Sequence, residues 1–207
     1  MPIRPARDSD LTSVAAIYDD EVSTGHSTFD TEPRPLRLWQ ERLASRAAGD
    51  QLLVAEADGK VVGYANAAAY RPKPGYRQTR EVSIYLAPAA RGQGLGRGLY
   101  DDLLGRLVED GVHVAVAAVA LPNDASLALH RACSFDEIGV MREVGRKFDR
   151  WIDVGWCSAA SAELATSVPV WGSACSRRSV VSLDHDGIDE NLWVAMRAQT
   201  APSTCPS

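Results

Sequence analysis

Apolar side chains at Leu11, Val14, Ala15, Ile17, Tyr18 and Val22 fall near the i, i+3, i+4, i+7 spacing of one helix face, and Asp8 or Ser9 stands where an N-cap is needed. A helix is expected over 11–22, after a short first strand at 1–5. The proline-rich link Glu32-Pro33-Arg34-Pro35 separates it from a second amphipathic stretch, Leu36 to Ala48, that Gly49 stops. Two apolar runs, Gln51 to Glu56 and Val61 to Ala68, flank Asp58-Gly59 and read as a hairpin. A loop, Tyr70 to Tyr76, precedes an alternating strand from Thr79 to Leu86 that Pro88 ends. A glycine-rich turn, Arg91 to Gly98, leads into a helix reaching Glu109. His113 to Leu121 reads as a buried strand, and Asn123 or Asp124 caps a helix to Cys133. Phe135 to Val144 and Trp151 to Cys157 complete the pattern as two strands.

The order β-α-α-β-β-β-α-β-α-β-β predicts an α/β sheet with helices on both faces. Residues 158–207 differ: they are rich in Ser and Ala, lack lysine and end APSTCPS. They read as an appendage of unknown role, poorly ordered towards its end, so the expected organisation is one domain over 1–157 and an extension over 158–207. The rest of the chain has ordinary globular composition, with 45% apolar and 24% charged residues among 207. A net charge of −5 argues against a nucleic-acid surface. No apolar run approaches the roughly 20 residues of a membrane span, and the first residues lack the apolar segment of a secretory signal. A cytoplasmic protein that binds neither membrane nor nucleic acid is expected. Cys133, Cys157, Cys175 and Cys205 are too widely spaced for a zinc site and are expected to be free thiols.

The strongest chemical signal is Arg91-Gly92-Gln93-Gly94-Leu95-Gly96-Arg97-Gly98. It follows a strand and opens a helix, where unpaired N–H groups and the helix dipole favour an anion and glycines let it approach the backbone. It lacks the GxxxxGK[ST] of a P-loop. Three strands also precede the one that it follows, unlike a dinucleotide fingerprint. Following Glu81-Val82-Ser83-Ile84-Tyr85-Leu86-Ala87-Pro88, the R-x-x-G-x-G pattern resembles the acyl-CoA motif of the GNAT N-acetyltransferases. Asn123-Asp124-Ala125-Ser126, with His130 seven residues after Asn123, strengthens the resemblance. FDTEP at 29–33, YRPKPGYRQT at 70–79, LPNDAS at 121–126 and GRKFDRWIDVGW at 145–156 are similar to the phosphinothricin and methionine sulfoximine acetyltransferase branch over residues 2–157. The chain departs from that pattern at Cys133-Ser134-Phe135, where the family carries Gly before the aromatic residue, and in its extension.

The resemblance implies a mixed, mostly antiparallel central sheet flanked by helices. It implies acetyl-CoA as co-substrate, no metal, a small amine acceptor, direct transfer in a ternary complex, and a homodimer. Glu81 matches the family's general base; its plain alternative is an exposed strand carboxylate. Ile84, Tyr85 and Leu86 match the segment whose backbone meets the pantetheine arm, with the Leu86 N–H as an oxyanion donor; the side chains of Ile84 and Leu86 read as core. Arg91, Gly92, Gln93, Gly94, Leu95, Gly96 and Arg97 would cradle the pyrophosphate, and Asn123 and Ser126 the pantetheine. His130 stands where many members carry an acidic Tyr; a packing histidine is an equal reading, and Tyr100 is a second donor. For the acceptor the resemblance points to Phe29, Arg71, Pro72, Lys73, Tyr76, Val82 and Ser83, with a solvated basic loop and a packed Phe29 as alternatives. Acetylation of another small amine and a non-catalytic acyl-CoA-binding regulatory domain are the competing functions.

Overall fold

The computed structural model describes residues 1–161. The extension beyond them, with Cys175 and Cys205, lies outside the described residues. Seven strands and four α-helices follow in order: β1 (Ile3–Pro5), α1 (Leu11–Thr24), α2 (Leu36–Ala44), β2 (Gln51–Ala57), β3 (Lys60–Ala69), β4 (Thr79–Leu86), α3 (Leu95–Glu109), β5 (Val114–Ala120), α4 (Asp124–Ala132), β6 (Asp136–Lys147) and β7 (Arg150–Ala160). They form one sheet in the order β1-β2-β3-β4-β5-β7-β6, in which only β4 and β5 run parallel.

Strand alternation divides the core in two. Leu53, Ala55, Ala65, Ala67 and Val82 face α3, whose Leu99, Tyr100, Leu103, Leu104 and Leu107 are buried against them. Leu52, Val54 and Tyr64 face the opposite way and pack under α1 and α2 with Leu11, Val14, Tyr18, Val22 and Trp39. Asp58 and Gly59, at φ 49° and 74°, close the β2–β3 hairpin as two left-handed turn residues.

Several boundaries differ from the sequence reading. Asp8–Asp10 is a 3₁₀ turn, so neither Asp8 nor Ser9 caps α1. Asp10 stands at that position, its carboxylate held by Arg4 and by the Arg7 N–H. Helix α2 ends at Ala44 rather than Ala48. The Ser45 hydroxyl donates to Asp50 and accepts from the Ala47 N–H, local bonds that compete with another helical turn. Strands β6 and β7 are longer than expected because Phe148 and Asp149, at φ 50° and 56°, join them by a two-residue turn. Strand β7 continues through Ser158, Ala159 and Ala160, which pair with Val116, Ala115 and Val114.

The seam between β4 and β5 shapes everything that follows. They pair only at Thr79–Val114, Arg80–Ala115 and Glu81–Val116. Beyond Glu81 the two strands separate.

Candidate active site

A cavity of about 680 Å³ occupies the gap where β4 and β5 part. Val62 and Ala87 form a hydrogen-bonded pair, the Ala87 N–H donating to Val62 O at 2.9 Å. In an antiparallel ladder such pairs alternate, so the main chain of Tyr85 faces β3 and that of Ile84 and Leu86 faces the gap. No strand lies beside Ile84 and Leu86 on that side. Their side chains pack against the core under α3, as the plain reading expected.

At one end of the cavity stands the glycine turn. Gly92 and Gly94 have φ of 74° and 78°, and a Cβ at either would meet no atom within 4 Å. It is the left-handed backbone, not crowding, that calls for glycine, and the space it leaves is open to a ligand. Gly94 is the N-cap of α3 and no side chain caps that end, so its first N–H groups are unsatisfied. Arg91 reaches Leu86 O at 3.2 Å and Glu21 at 3.4 Å; Arg97 pairs with Asp101 at 2.8 Å and donates to Ala132 O. The arrangement fits a long ligand with an anionic end: main chain that no strand pairs along its middle and an anion nest at its end.

Ten of the residues expected to hold the cofactor line this cavity: Ile84, Tyr85, Leu86, Arg91, Gly92, Gly94, Gly96, Arg97, Asn123 and Ser126. Gln93 and Leu95 do not. The Gln93 amide donates to Ala89 O, and Leu95, the first residue of α3, is buried in the core. Asn123 is the N-cap of α4, accepting from the Ser126 N–H at 3.1 Å. Ser134 sits in the left-handed region at φ 62°, where it closes α4: its N–H donates to Arg131 O and that of Phe135 to His130 O. Serine there costs about 1 kcal/mol relative to glycine.

His130 is buried and lines the same cavity. Its Nδ1 lies 2.7 Å from Ser126 O and so carries the proton; its Nε2, 2.8 Å from Tyr100 Oη, accepts from the phenol. Burial lowers its pKa, so the ring is neutral near pH 7, while burial holds the Tyr100 phenol well above its ordinary value.

A second cavity, of about 330 Å³, adjoins the first along Ser27, Val82, Ser83, Tyr85, Ala118 and Ala120. Tyr18, Trp39, Tyr64 and Tyr85 line it as an aromatic cluster of edge and stacked contacts. Glu81 and Ser83 lie on its side of β4. The carboxylate of half-buried Glu81 makes no hydrogen bond or ion pair among the described residues. Burial raises its pKa, while Arg71 and Arg42 act in the opposite sense. Phe29 lines this cavity and packs over Gly145, where a Cβ would meet its ring.

Of the residues expected to meet the acceptor, Phe29, Val82 and Ser83 line this cavity. Arg71, Pro72, Lys73 and Tyr76 are exposed and line neither. Arg71 and Tyr76 instead pack on Tyr70, at 4.9 Å and 5.5 Å. Sequence reasoning missed Arg34 and Arg42, which do line it. Arg42 follows Trp39 by three residues, the spacing that puts both on one helix face, and that was the available signal. It also missed buried Lys147, whose Nζ donates to Thr28 O at 2.9 Å and Glu21 O at 3.3 Å and so anchors the loop walling both cavities. Among the described residues no group of three or more His, Cys, Asp or Glu could hold a metal, and no helix is long and apolar enough to cross a membrane.

Residues 14–135 match the acetyltransferase (GNAT) family. A phosphinothricin N-acetyltransferase of Alcaligenes faecalis is 45% identical over 73% of this chain and 78% of its own length. An L-methionine sulfoximine/L-methionine sulfone acetyltransferase of Pseudomonas paraeruginosa is 41% identical over 73% of this chain and 90% of its own. Among solved structures, a phosphinothricin acetyltransferase from Sinorhizobium meliloti in complex with acetyl-CoA superposes with a TM-score of 0.74 at 35% identity, covering 77% of this chain and 87% of that one.

Proposed function

Because the chain belongs to the GNAT acetyltransferase family, and is thereby an enzyme of the acyltransferase class, we propose that it transfers acetyl from acetyl-CoA directly to the α-amine of a small amino-acid analogue of the phosphinothricin or methionine sulfoximine type. The observation that carries this reading is the meeting of two sites at the β4–β5 seam: main chain at Ile84 and Leu86 that no neighbouring strand pairs on one side, and the unpartnered Glu81 carboxylate on the other.

In this reading Gly92, Gly94, Gly96 and the first turn of α3 hold the pyrophosphate, with Arg91 and Arg97 beside them. The main chain of Ile84 and Leu86 pairs with the pantetheine amides, and the Leu86 N–H is placed to polarise a carbonyl oxygen. Acetyl-CoA supplies the activated acetyl thioester. Glu81 takes the proton from the acceptor's ammonium, directly or through one water, so that the nitrogen lone pair is free to attack. We assign the return proton for the departing sulfur to the Tyr100 phenol, which gives up its hydrogen bond to His130 Nε2 in order to donate and is reprotonated from solvent as the products leave. Ser83, Val82 and Phe29 shape the acceptor cavity, while Arg71, Pro72, Lys73 and Tyr76 flank it from the exposed loop.

The proposal extends to a cytoplasmic homodimer. Ile138, Val140, Met141 and Val144 of edge strand β6, with Trp151 of β7, are large apolar side chains left exposed on one hairpin.

A thiol-release assay with acetyl-CoA across a panel of amines tests the substrate class. Phosphinothricin and methionine sulfoximine are expected to be turned over with kcat/KM at least about tenfold above polyamines and simple alkylamines, a margin of about 1.4 kcal/mol in transition-state binding. Turnover confined to polyamines would overturn the assignment.

A further inference from the structure

The second cavity contains two opposite charges that the protein leaves unmatched. Arg42 lines it half-buried, and its guanidinium makes one hydrogen bond, from Nη1 to Asn66 Oδ1 at 3.1 Å. No carboxylate among the described residues lies within ion-pair distance of it. Arg34, its neighbour, is by contrast already committed to Asp30 and Tyr18. A guanidinium carries five N–H donors, so most of Arg42's donor capacity is unspent. Glu81 lines the same cavity, equally without a partner. The two are linked by a polar run across the sheet: Arg42 to Asn66, then Asn66 Nδ2 to Ser83 Oγ, with Glu81 two residues from Ser83 on the same face of β4. Two residues along a strand span roughly 7 Å. Trp39 Nε1 and Tyr64 Oη, on fully buried residues of the same lining, also lack hydrogen-bond partners.

We propose that Arg42 is the receptor for an acidic oxygen of the acceptor, a carboxylate or phosphinate, so that the cavity takes a zwitterion with its ammonium at Glu81 and its oxyanion at Arg42. The inference rests on the amino-acid acceptor assigned above and adds the residue that selects it. An unpaired cation and an unpaired anion in one recess, separated by more than ion-pair distance, are complementary to a molecule carrying both charges. A polyamine would bring a second cation to Arg42 and be refused. The fork of a guanidinium suits the paired oxygens of either acid. Burial of a cation with so little compensation is unfavourable until an anion arrives, which makes Arg42 a selector rather than a structural strut.

The test is binding, measured apart from turnover. Methionine sulfoximine, phosphinothricin and the carboxamide of methionine sulfoximine are titrated by calorimetry into the full-length protein with CoA present, for wild type, Arg42→Gln and Arg42→Lys. Circular dichroism checks that each variant is folded. Losing a charge-assisted bond predicts a roughly 10- to 100-fold weaker affinity of Arg42→Gln for the acids. The carboxamide should bind wild type and variant alike, and Arg42→Lys should fall between. Weakening for both acids identifies the carboxylate as the partner; weakening for phosphinothricin alone identifies the phosphinate. Unchanged affinity in Arg42→Gln, an equal loss for the carboxamide, or no binding of any acid by wild type would each overturn the proposal. Arg42-dependent binding without acetylation would instead overturn the functional assignment and leave the receptor standing.

Discussion

At Glu81, burial and chemistry pull in a useful direction. Removing the carboxylate from water disfavours its charged form and raises its pKa, while the positive charges of Arg71 and Arg42 limit that rise. The base form is the charged one, so activity is expected to climb with pH through a pKa above the ordinary carboxylate value. Glu81→Gln keeps the shape and removes the proton acceptor. It should lower kcat by about 10²-fold or more, leave the KM for acetyl-CoA nearly unchanged, and abolish that ascending limb. Steady-state kinetics across pH would show it; a variant with near-normal kcat and the same limb would move the base elsewhere. Glu81 could be singled out in the sequence because it matches the family's general base near the start of β4. Arg42 carried only its three-residue spacing from Trp39, which a charged residue on a solvated helix face shares, and tertiary packing is what shows that this one borders a cavity. Lys147 was hidden for the opposite reason: its carbonyl partners, Glu21 and Thr28, lie more than a hundred residues away in the chain.

Element existence was readable and element ends were not. Every helix and strand expected from periodicity and turn residues is present, because apolar spacing decides which face is buried. The ends depend on side-chain bonds and strand partners that spacing does not report. Helix α2 stops where Ser45 bonds Asp50 and Ala47, and β7 goes on where β5 offers it partners. That last difference bears on where a shortened chain can end. Ser158, Ala159 and Ala160 pair with β5, Ala159 is buried, and the Ser161 N–H donates to His113 O at 2.8 Å. A chain ending after Ser161 is expected to fold and to bind CoA. One ending after Cys157 loses a few hydrogen bonds at the sheet centre, each worth about 1 kcal/mol, and should melt several degrees lower. Parallel thermal melts followed by circular dichroism would decide. If the longer piece does not fold, residues 162–207 are needed and the extension is no appendage.

For the whole molecule, the β6–β7 hairpin leaves a row of large apolar side chains in water at an edge strand, an arrangement that invites pairing with another chain. A dimer is expected in sedimentation equilibrium, and Val140→Lys with Met141→Lys should shift it to monomer while the circular dichroism spectrum is kept. A wild-type chain that sediments as monomer at tens of micromolar would remove the homodimer from the proposal.

Three residue pairs join the sheet's two halves. The half from β1 to β4 and the half of β5, β7 and β6 are each hydrogen-bonded throughout, so the short seam between them runs along the molecule's own binding cleft. A molecule seated there does what an eighth strand would do, bridging main chain that otherwise faces solvent. Occupancy and cohesion then become one equilibrium: at a hundred times its Kd such a molecule adds roughly 2.7 kcal/mol to the folded state. A starved cell would hold this protein in a looser form than a fed one, and its lifetime against proteolysis would report the supply of the compound it consumes.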